Sequence, residues 1–308
     1  MSGGCPFGRD SGAEPEAGAQ GPEGTTQSGE GGPVTPRPYG RSDLTYNDYL
    51  KVLELLKLQE PQSKPAHHDE LLFIVIHQAY ELWFKLILHE LEKTVDQMQH
   101  GEVLTAHHFL KRVVEIMKLM VSQIHILETM APYDFLEFRD RLNPASGFQS
   151  MQFREIEFVV GLKDERFLTY FKERPEVIEA LRKRLAAEDL RTAFYGMLRK
   201  LGFDLPEDAA RLESAGDPAA KAAILKALLP IYQRRAEHLA LGLLTESLVE
   251  LDEYLQLWRE HHVRVVERII GMKQGTGGSS GVEYLKTTTT KKSFPLLWEV
   301  RTHLTKGS

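Results

Sequence analysis

Apolar residues recur every three or four positions along most of the chain after Leu44, which is the period of an amphipathic helix. Gly101 and Pro132 stand just beyond two of these periodic segments, where helices commonly end. The sequence contains no Asn-Gly or Asp-Gly dipeptide, the strongest signal for a hairpin. We therefore predict an all-α fold built on long core helices. The main helices are expected at about 65–100, 105–129 and 152–160, with a last long helix from about 219 or 230 to 270.

The segments between these helices differ in character. We expect residues 134–150 to be irregular, 204–217 to form a loop, and 271–282, GMKQGTGGSSGV, to form a glycine-rich loop. Shorter helices should fill 175–203, within a smaller peripheral helical insertion at about 165–225. The last apolar piece, SFPLLWEVRTHL, is expected to dock on the body.

The first 40 residues hold 11 of the 24 glycines and 6 of the 15 prolines. Such a segment cannot bury enough apolar surface to offset the entropy lost on ordering. We predict a disordered tail at 1–40 and a single all-helical domain at 41–308. Its first helix should follow Thr45, with Asp48 completing a partial capping box.

Composition narrows the functional classes. The net charge of −6 gives no basic excess for nucleic acid or an anionic membrane. The one cysteine, Cys5, lies in the tail, so thiolate-bound haem, iron–sulfur clusters and cysteine-based zinc sites are not expected in the folded body. The first residues lack an apolar signal region, and no run is long enough to cross a bilayer. We expect a cytoplasmic protein.

Two histidines stand on apolar helix faces. His77 shares one face of the first long helix with three aromatic residues, Phe73, Tyr80 and Phe84. His262 stands at the centre of a stripe on the last long helix, and His261 points about a quarter turn away. Each histidine alone is more simply a hydrogen-bonded core residue. Two on separate helices indicate a pocket between them, where helix bundles hold cofactors. The stripe around His262 comprises Leu255, Trp258, Val265 and Ile269.

The spacing of histidine and glutamate residues, as possible metal ligands, distinguishes among cofactors. None of the 12 histidines follows a glutamate at three positions, as a carboxylate-bridged di-iron site needs. There is no His-Glu-x-x-His pattern for a zinc protease. Haem needs one axial histidine and an apolar slot, which is compatible with His262 and Trp258.

Two polar features remain open to more than one interpretation. The loop GTGGSSG is a flexible linker or, together with the Thr276 hydroxyl, a nest for a carboxylate. Arg139 either pairs with Asp134 or Asp140, or clamps a substrate carboxylate through a bidentate contact.

Five blocks, taken in order, resemble the signature segments of the tryptophan 2,3-dioxygenases. Together they span Leu44 to about Leu285, whereas the first 40 residues and about 175–225 contribute nothing. The blocks are LTYNDYL, KPAHHDELLFIVIHQAYELWFKL, FLEFRDRLNPASGFQS, QLWREHHVRVVERIIG and KQGTGGSSGV.

The resemblance implies a helical haem dioxygenase fold with one haem b per subunit in a cytoplasmic homotetramer. It implies that O2 cleaves the indole C2=C3 bond of L-tryptophan to give N-formyl-L-kynurenine, the first step of the kynurenine pathway. The remaining alternatives are an indole-cleaving haem dioxygenase of altered substrate range and a non-catalytic helical interaction protein. A Soret band in the purified protein separates the enzymes from the interaction protein.

The resemblance also assigns roles to residues. His262 matches the axial iron ligand, His77 the catalytic distal histidine facing the indole N–H, and Arg139 the carboxylate clamp. Phe135 stands where some members have tyrosine, so a hydroxyl is lost there while the aromatic wall remains. Further substrate contacts are expected at Phe73, Ile74, Val75, Ile76 and Thr276, further haem contacts at Ser146, Gly147 and Trp258, and contacts to a neighbouring subunit's site at Tyr46 and Tyr49.

Overall fold

The computed structural model describes residues 43–276 and 280–305, and within them every regular element is helical, as predicted. The expectations for residues 1–40, including Cys5, lie outside this part of the chain. The chain divides into two compact units, and the division falls between Val52 and Leu53. The helices are α1 (Tyr46–Leu50), α2 (Val52–Leu55), α3 (His68–His100), α4 (Val103–Leu127), α5 (Pro132–Arg139), α6 (Met151–Val159), α7 (Pro175–Ala186), α8 (Leu190–Lys200), α9 (Ala209–Ala215), α10 (Pro218–Gln233), α11 (Leu239–Ile270), α12 (Val282–Lys286) and α13 (Pro295–Glu299).

The ends of several helices follow local sequence signals. The Thr45 hydroxyl accepts the backbone N–H of Asp48 at 3.2 Å and caps α1, as the sequence predicts. That helix is short because Lys51 takes a left-handed conformation with φ of 53°. Gly101 ends α3 with φ of 79°, a conformation that glycine adopts without steric cost.

Three long helices form the centre of the molecule. α4 packs against both α3 and α11, and their apolar faces supply much of the main core. By length and composition α3 could span a membrane, a criterion that core helices of soluble proteins also meet, and ten of its 33 residues are buried. Each large aliphatic side chain buried in this core contributes about 1.5 to 3 kcal/mol to stability.

Three of the predictions about secondary structure are wrong. The last long helix is two helices, α10 and α11, separated by a turn at 234–238. Pro230 lies within α10 instead of starting a helix. The segments expected to be irregular at 134–150 and to form a loop at 204–217 contain most of α5 and all of α9. Pro132 is the first residue of α5, where its missing N–H costs nothing, so the same residue ends one helical region and begins another.

The region 165–225, expected as a peripheral insertion, also reaches the centre. α8 packs on α3, and Leu190, Phe194 and Leu198 are fully buried in the main core. Phe194 meets Phe294 from the C-terminal segment edge to face, with ring centroids 5.9 Å apart.

The C-terminal segment docks on the body, as predicted, through two buried carboxylates. Asp252 on α11 accepts the backbone N–H groups of Ser293 at 2.7 Å and Phe294 at 2.8 Å. Glu213 accepts the backbone N–H of Leu296 at 3.1 Å. Burial raises the pKa of Asp252 more than these hydrogen bonds lower it. The segment is therefore attached by polar contacts that water does not reach.

Replacing Asp252 by alanine should lower the free energy of unfolding by about 3 kcal/mol, because two buried N–H groups lose their acceptor. Chemical denaturation followed by circular dichroism measures this. Asp208→Ala is the control, since Asp208 makes an exposed pair with Arg211, and its effect should stay within about 0.5 kcal/mol. Equal effects of the two changes would contradict a structural role for Asp252.

Candidate functional site

An apolar cavity of about 290 Å³ lies where α3, α4, α5 and α11 meet. Ile124 and Leu127 of α4 form part of its wall, together with residues of the loops before α6 and α12. Nine of the residues to which the resemblance assigns a role line it, namely Phe73, His77, Phe135, Arg139, Ser146, Gly147, Trp258, His262 and Thr276.

His77 presents a hydrogen-bond acceptor to this cavity. Its Nδ1 lies 2.7 Å from the backbone oxygen of Phe73. A carbonyl can only accept, so Nδ1 carries the hydrogen and Nε2 keeps its lone pair. Burial lowers the pKa of His77, although the Phe73 carbonyl and the charge of Glu81 act in the opposite direction. The imidazole is held in one neutral tautomer beside the Phe73 ring, with the two ring centroids 4.1 Å apart.

His262 faces the same cavity from α11. Burial, with a smaller contribution from His77, lowers the pKa of His262 to about 4. The ring is therefore neutral at pH 7, as an iron or zinc ligand must be. It stacks on Trp258, with an angle of 21° between the ring planes and 5.3 Å between centroids. This stack fixes the orientation of the imidazole.

His261 lies outside the cavity lining. Its ring instead meets that of His125 on α4 edge to face, with the centroids 5.1 Å apart. Consecutive residues of an α-helix are about 100° apart around the axis, which explains why neighbouring histidines face different surroundings.

Arg139 and the glycine-rich loop meet at one end of the cavity. The Arg139 guanidinium donates to the backbone oxygen of Gln274, and the Thr276 hydroxyl donates to that of Ala145 at 2.7 Å. Among the described residues no ion pair joins Arg139 to Asp134 or Asp140, and the nearest imidazole to Asp134 is that of His67 at 3.8 Å. Most of the N–H groups of Arg139 are therefore not engaged by a carboxylate of these residues.

A buried ionic network that the sequence did not reveal also borders the cavity. Glu157 on α6 accepts hydrogen bonds from Arg154 at 2.5 Å and from Arg259 on α11 at 2.9 Å. All three side chains are buried. The Arg154 guanidinium lies 4.0 Å from the centre of the Phe167 ring, and its Nε has no hydrogen-bond partner among the described residues. Two arginines face one carboxylate, so this network by itself carries one surplus positive charge.

Some predicted residues lie elsewhere. Ile74, Val75 and Ile76 are absent from the cavity lining, and Ile76 packs in the main core while Val75 is 45% exposed. Successive helical residues cannot all face one side, so only Phe73 and His77 of this run reach the cavity. Tyr46 and Tyr49 are 74% and 72% exposed within the N-terminal unit. Their role at a neighbouring subunit stays a prediction.

Known proteins resemble this chain over most of its length. A family model described as tryptophan 2,3-dioxygenase matches residues 35–193 and 212–304. A tryptophan 2,3-dioxygenase of Herpetosiphon aurantiacus is 45% identical over 261 residues, which are 85% of this chain and 98% of that protein. Enzymes of the same name from a Nocardioides species and from Caulobacter vibrioides are 44% and 43% identical, again over 85% of this chain and over 96% and 99% of their own lengths.

These matches include every helix that borders the cavity, and the family model passes over only residues 194–211 between its two segments. The cavity, its two neutral histidines and its arginine thus lie within the shared region. The chain belongs to the tryptophan 2,3-dioxygenase family.

Proposed function

We propose that this protein is a haem-dependent dioxygenase that cleaves the indole C2=C3 bond of L-tryptophan with O2 and releases N-formyl-L-kynurenine, the first step of the kynurenine pathway. The observation that supports this best is the placement of two neutral histidines, His77 and His262, on one apolar cavity with Arg139 at its end.

The residues around the cavity fit haem b. His262 would hold the haem iron through its neutral, oriented imidazole, and Trp258, which stacks on that ring, would provide an apolar wall. A haem carries two propionates, and the surplus positive charge of Arg154 and Arg259 over Glu157 suits one of them. The Nε of Arg154, which has no partner in the described part of the chain, is a buried donor for such a group. When bound, the haem iron supplies the binding and activation of O2.

The α3 side of the cavity suits a neutral indole. The Nε2 lone pair of His77 accepts one N–H, and the rings of Phe73 and Phe135, with centroids 5.6 Å apart, form an aromatic wall. Phe135 has no hydroxyl, so it excludes water from the wall without offering a competing hydrogen bond. These residues orient the ring and leave its chemistry to the cofactor.

The α5 side suits the amino-acid end of tryptophan. Arg139 is positioned by the Gln274 carbonyl, which leaves its guanidinium able to bind a carboxylate in the bidentate manner. Thr276 stands at the same end of the cavity. A charged clamp at one end and an apolar wall at the other select a molecule that is anionic at one end and aromatic at the other.

We propose further that the enzyme is a cytoplasmic homotetramer. The first described residues expose an unusual number of apolar side chains, which a neighbouring subunit would cover. Tyr46 and Tyr49 would contribute to the neighbour's site. The exposed apolar residues are Leu44, Tyr46, Tyr49, Leu50, Leu53, Leu55, Leu56 and Leu58.

His262→Ala should lose most of the haem and all turnover, because no other protein ligand to the iron is expected. Absorption spectra before and after dithionite and tryptophan, together with formation of N-formylkynurenine, measure both effects. His261→Ala is the matched control and should retain the Soret band, since it lies outside the cavity. A colourless wild type that leaves tryptophan intact would refute the proposed function itself.

His77→Ala should stay coloured and turn over about tenfold more slowly, because one neutral hydrogen bond contributes about 1 kcal/mol. Because burial lowers the pKa of His77, its acceptor form persists on acidification, and kcat/KM of the wild type should hold between about pH 7.5 and 6.5. Stopped-flow assays across this pH range measure kcat/KM. His89→Ala, an exposed change on the same helix, should have no effect. Loss of haem from His77→Ala would argue against its distal position.

Arg139→Ala should raise the apparent KM for tryptophan by about tenfold or more, since a charge-assisted hydrogen bond contributes about 1.5 to 3 kcal/mol. Tryptamine lacks the carboxylate, so it should be a poor substrate that loses little further in the variant. Steady-state kinetics with both substrates decide this, with the exposed Arg141→Ala as control. Wild-type turnover of tryptamine equal to that of tryptophan would contradict the clamp.

Deleting residues 1–50 should impair assembly and turnover, whereas deleting residues 1–38 should impair neither, because only the first deletion removes Tyr46 and Tyr49. Gel filtration with light scattering and an activity assay compare the two. A fully active monomer from the longer deletion would overturn the shared-site arrangement.

A further inference from the structure

Three metal-ligating side chains converge where the end of α4 meets the middle of α11. One ligand atom each of His125, Glu128 and His261 lies within 4.8 Å of the others. His125 Nδ1 and Glu128 Oε2 are 3.0 Å apart. None of the three lines the cavity that His262 faces. The cluster is therefore separate from the proposed haem site.

Two helices, α4 and α11, carry the three side chains of this cluster, and solvent reaches it. His125 is in the last turn of α4 and Glu128 caps that helix, while His261 lies well inside α11. The His125 side chain is 53% exposed and that of Glu128 is 21% exposed. An ion could enter from solvent and find ligands carried by two helices that pack directly against each other.

The donor set discriminates among cations. Magnesium and calcium take oxygen ligands almost exclusively. Two imidazole nitrogens with one carboxylate oxygen suit zinc and its neighbours, at bond lengths of about 2.0 to 2.2 Å. Tetrahedral geometry at these lengths places ligand atoms about 3.4 Å apart. The His125–Glu128 pair is already near that separation, and the remaining contraction is within reach of side-chain rotation.

We propose that His125, Glu128 and His261 form a binding site for a zinc-class divalent cation, with water as the fourth ligand. An ion here joins the end of α4 to α11 as a clip. Because His261 directly precedes His262, the clip fixes the turn of α11 that presents His262 to the cavity.

A histidine and a carboxylate three or four residues apart at a helix end often form a simple surface pair. His100 and Asp96 at the end of α3 are such a pair, with His100 Nδ1 3.4 Å from the carboxylate. That pair is not part of any cluster of three metal-ligating groups within the described residues. The imidazole that α11 adds at His261 is what distinguishes the two places, so His100 serves as the matched control.

The test uses untagged, full-length, haem-loaded protein treated with a chelator and desalted. Isothermal titration with zinc chloride should show about one zinc ion bound per subunit. His125→Ala, His261→Ala and the nearly isosteric Glu128→Gln should each weaken zinc binding by about tenfold or more, and His100→Ala should not. Zinc should also raise the Tm of the wild type but not of His261→Ala.

Four results would overturn the site. These are an absence of zinc binding by the wild type, unchanged affinity in Glu128→Gln and His125→Ala, equal weakening by His100→Ala, and loss of zinc binding in His262→Ala that retains its fold. The last result would place the ion in the cavity. Retention of the Soret band by His261→Ala while zinc binding is lost would support two independent sites.

Discussion

The packing of α4 between α3 and α11 determines the relative position of the two helices that carry His77 and His262, and with it the geometry of the cavity. His77 and His262 belong to the two outer helices, and they face one cavity because α4 holds those helices at a fixed separation and phase. Ile124 and Leu127 of α4 also form part of the wall. The same interface that supplies the core therefore sets the distance across the site, so a core substitution in α4 acts on both stability and the cavity.

Charge is distributed unevenly around this apolar space. Two buried arginines of the lining share Glu157, and a third lining arginine, Arg139, has a carbonyl as its partner. These arginines suit anionic groups, whereas the aromatic rings and the neutral imidazoles of the lining suit an uncharged ring. Arg154 and Arg259 already share the Glu157 carboxylate, and one further anionic group beside them would balance the second arginine.

The helical class, the main helices and the two histidine faces could be predicted because apolar periodicity reports which side of a helix is buried. Arg259 is not one of the apolar positions of α11, yet it is 3% exposed, because its partner Glu157 lies on another helix 102 residues away. Periodicity cannot reveal such a pair. The run from Ile74 to Ile76 was taken as a unit, but the turn of the helix sends its members in different directions. His125 and Glu128 gave no signal, since their relation to His261 exists only in three dimensions.

The attachment of the C-terminal segment has a consequence for biosynthesis. Asp252 and Glu213 accept hydrogen bonds from backbone N–H groups within residues 293–296. Phe294 and Leu297 are part of the main core. While the ribosome still holds these residues, Asp252 lacks its backbone donors, and the place that Phe294 and Leu297 fill in the main core is open. Helices α3 to α11 can collapse earlier, but native packing must wait for the release of this segment. A chaperone that recognises exposed apolar surface would find its target in that interval.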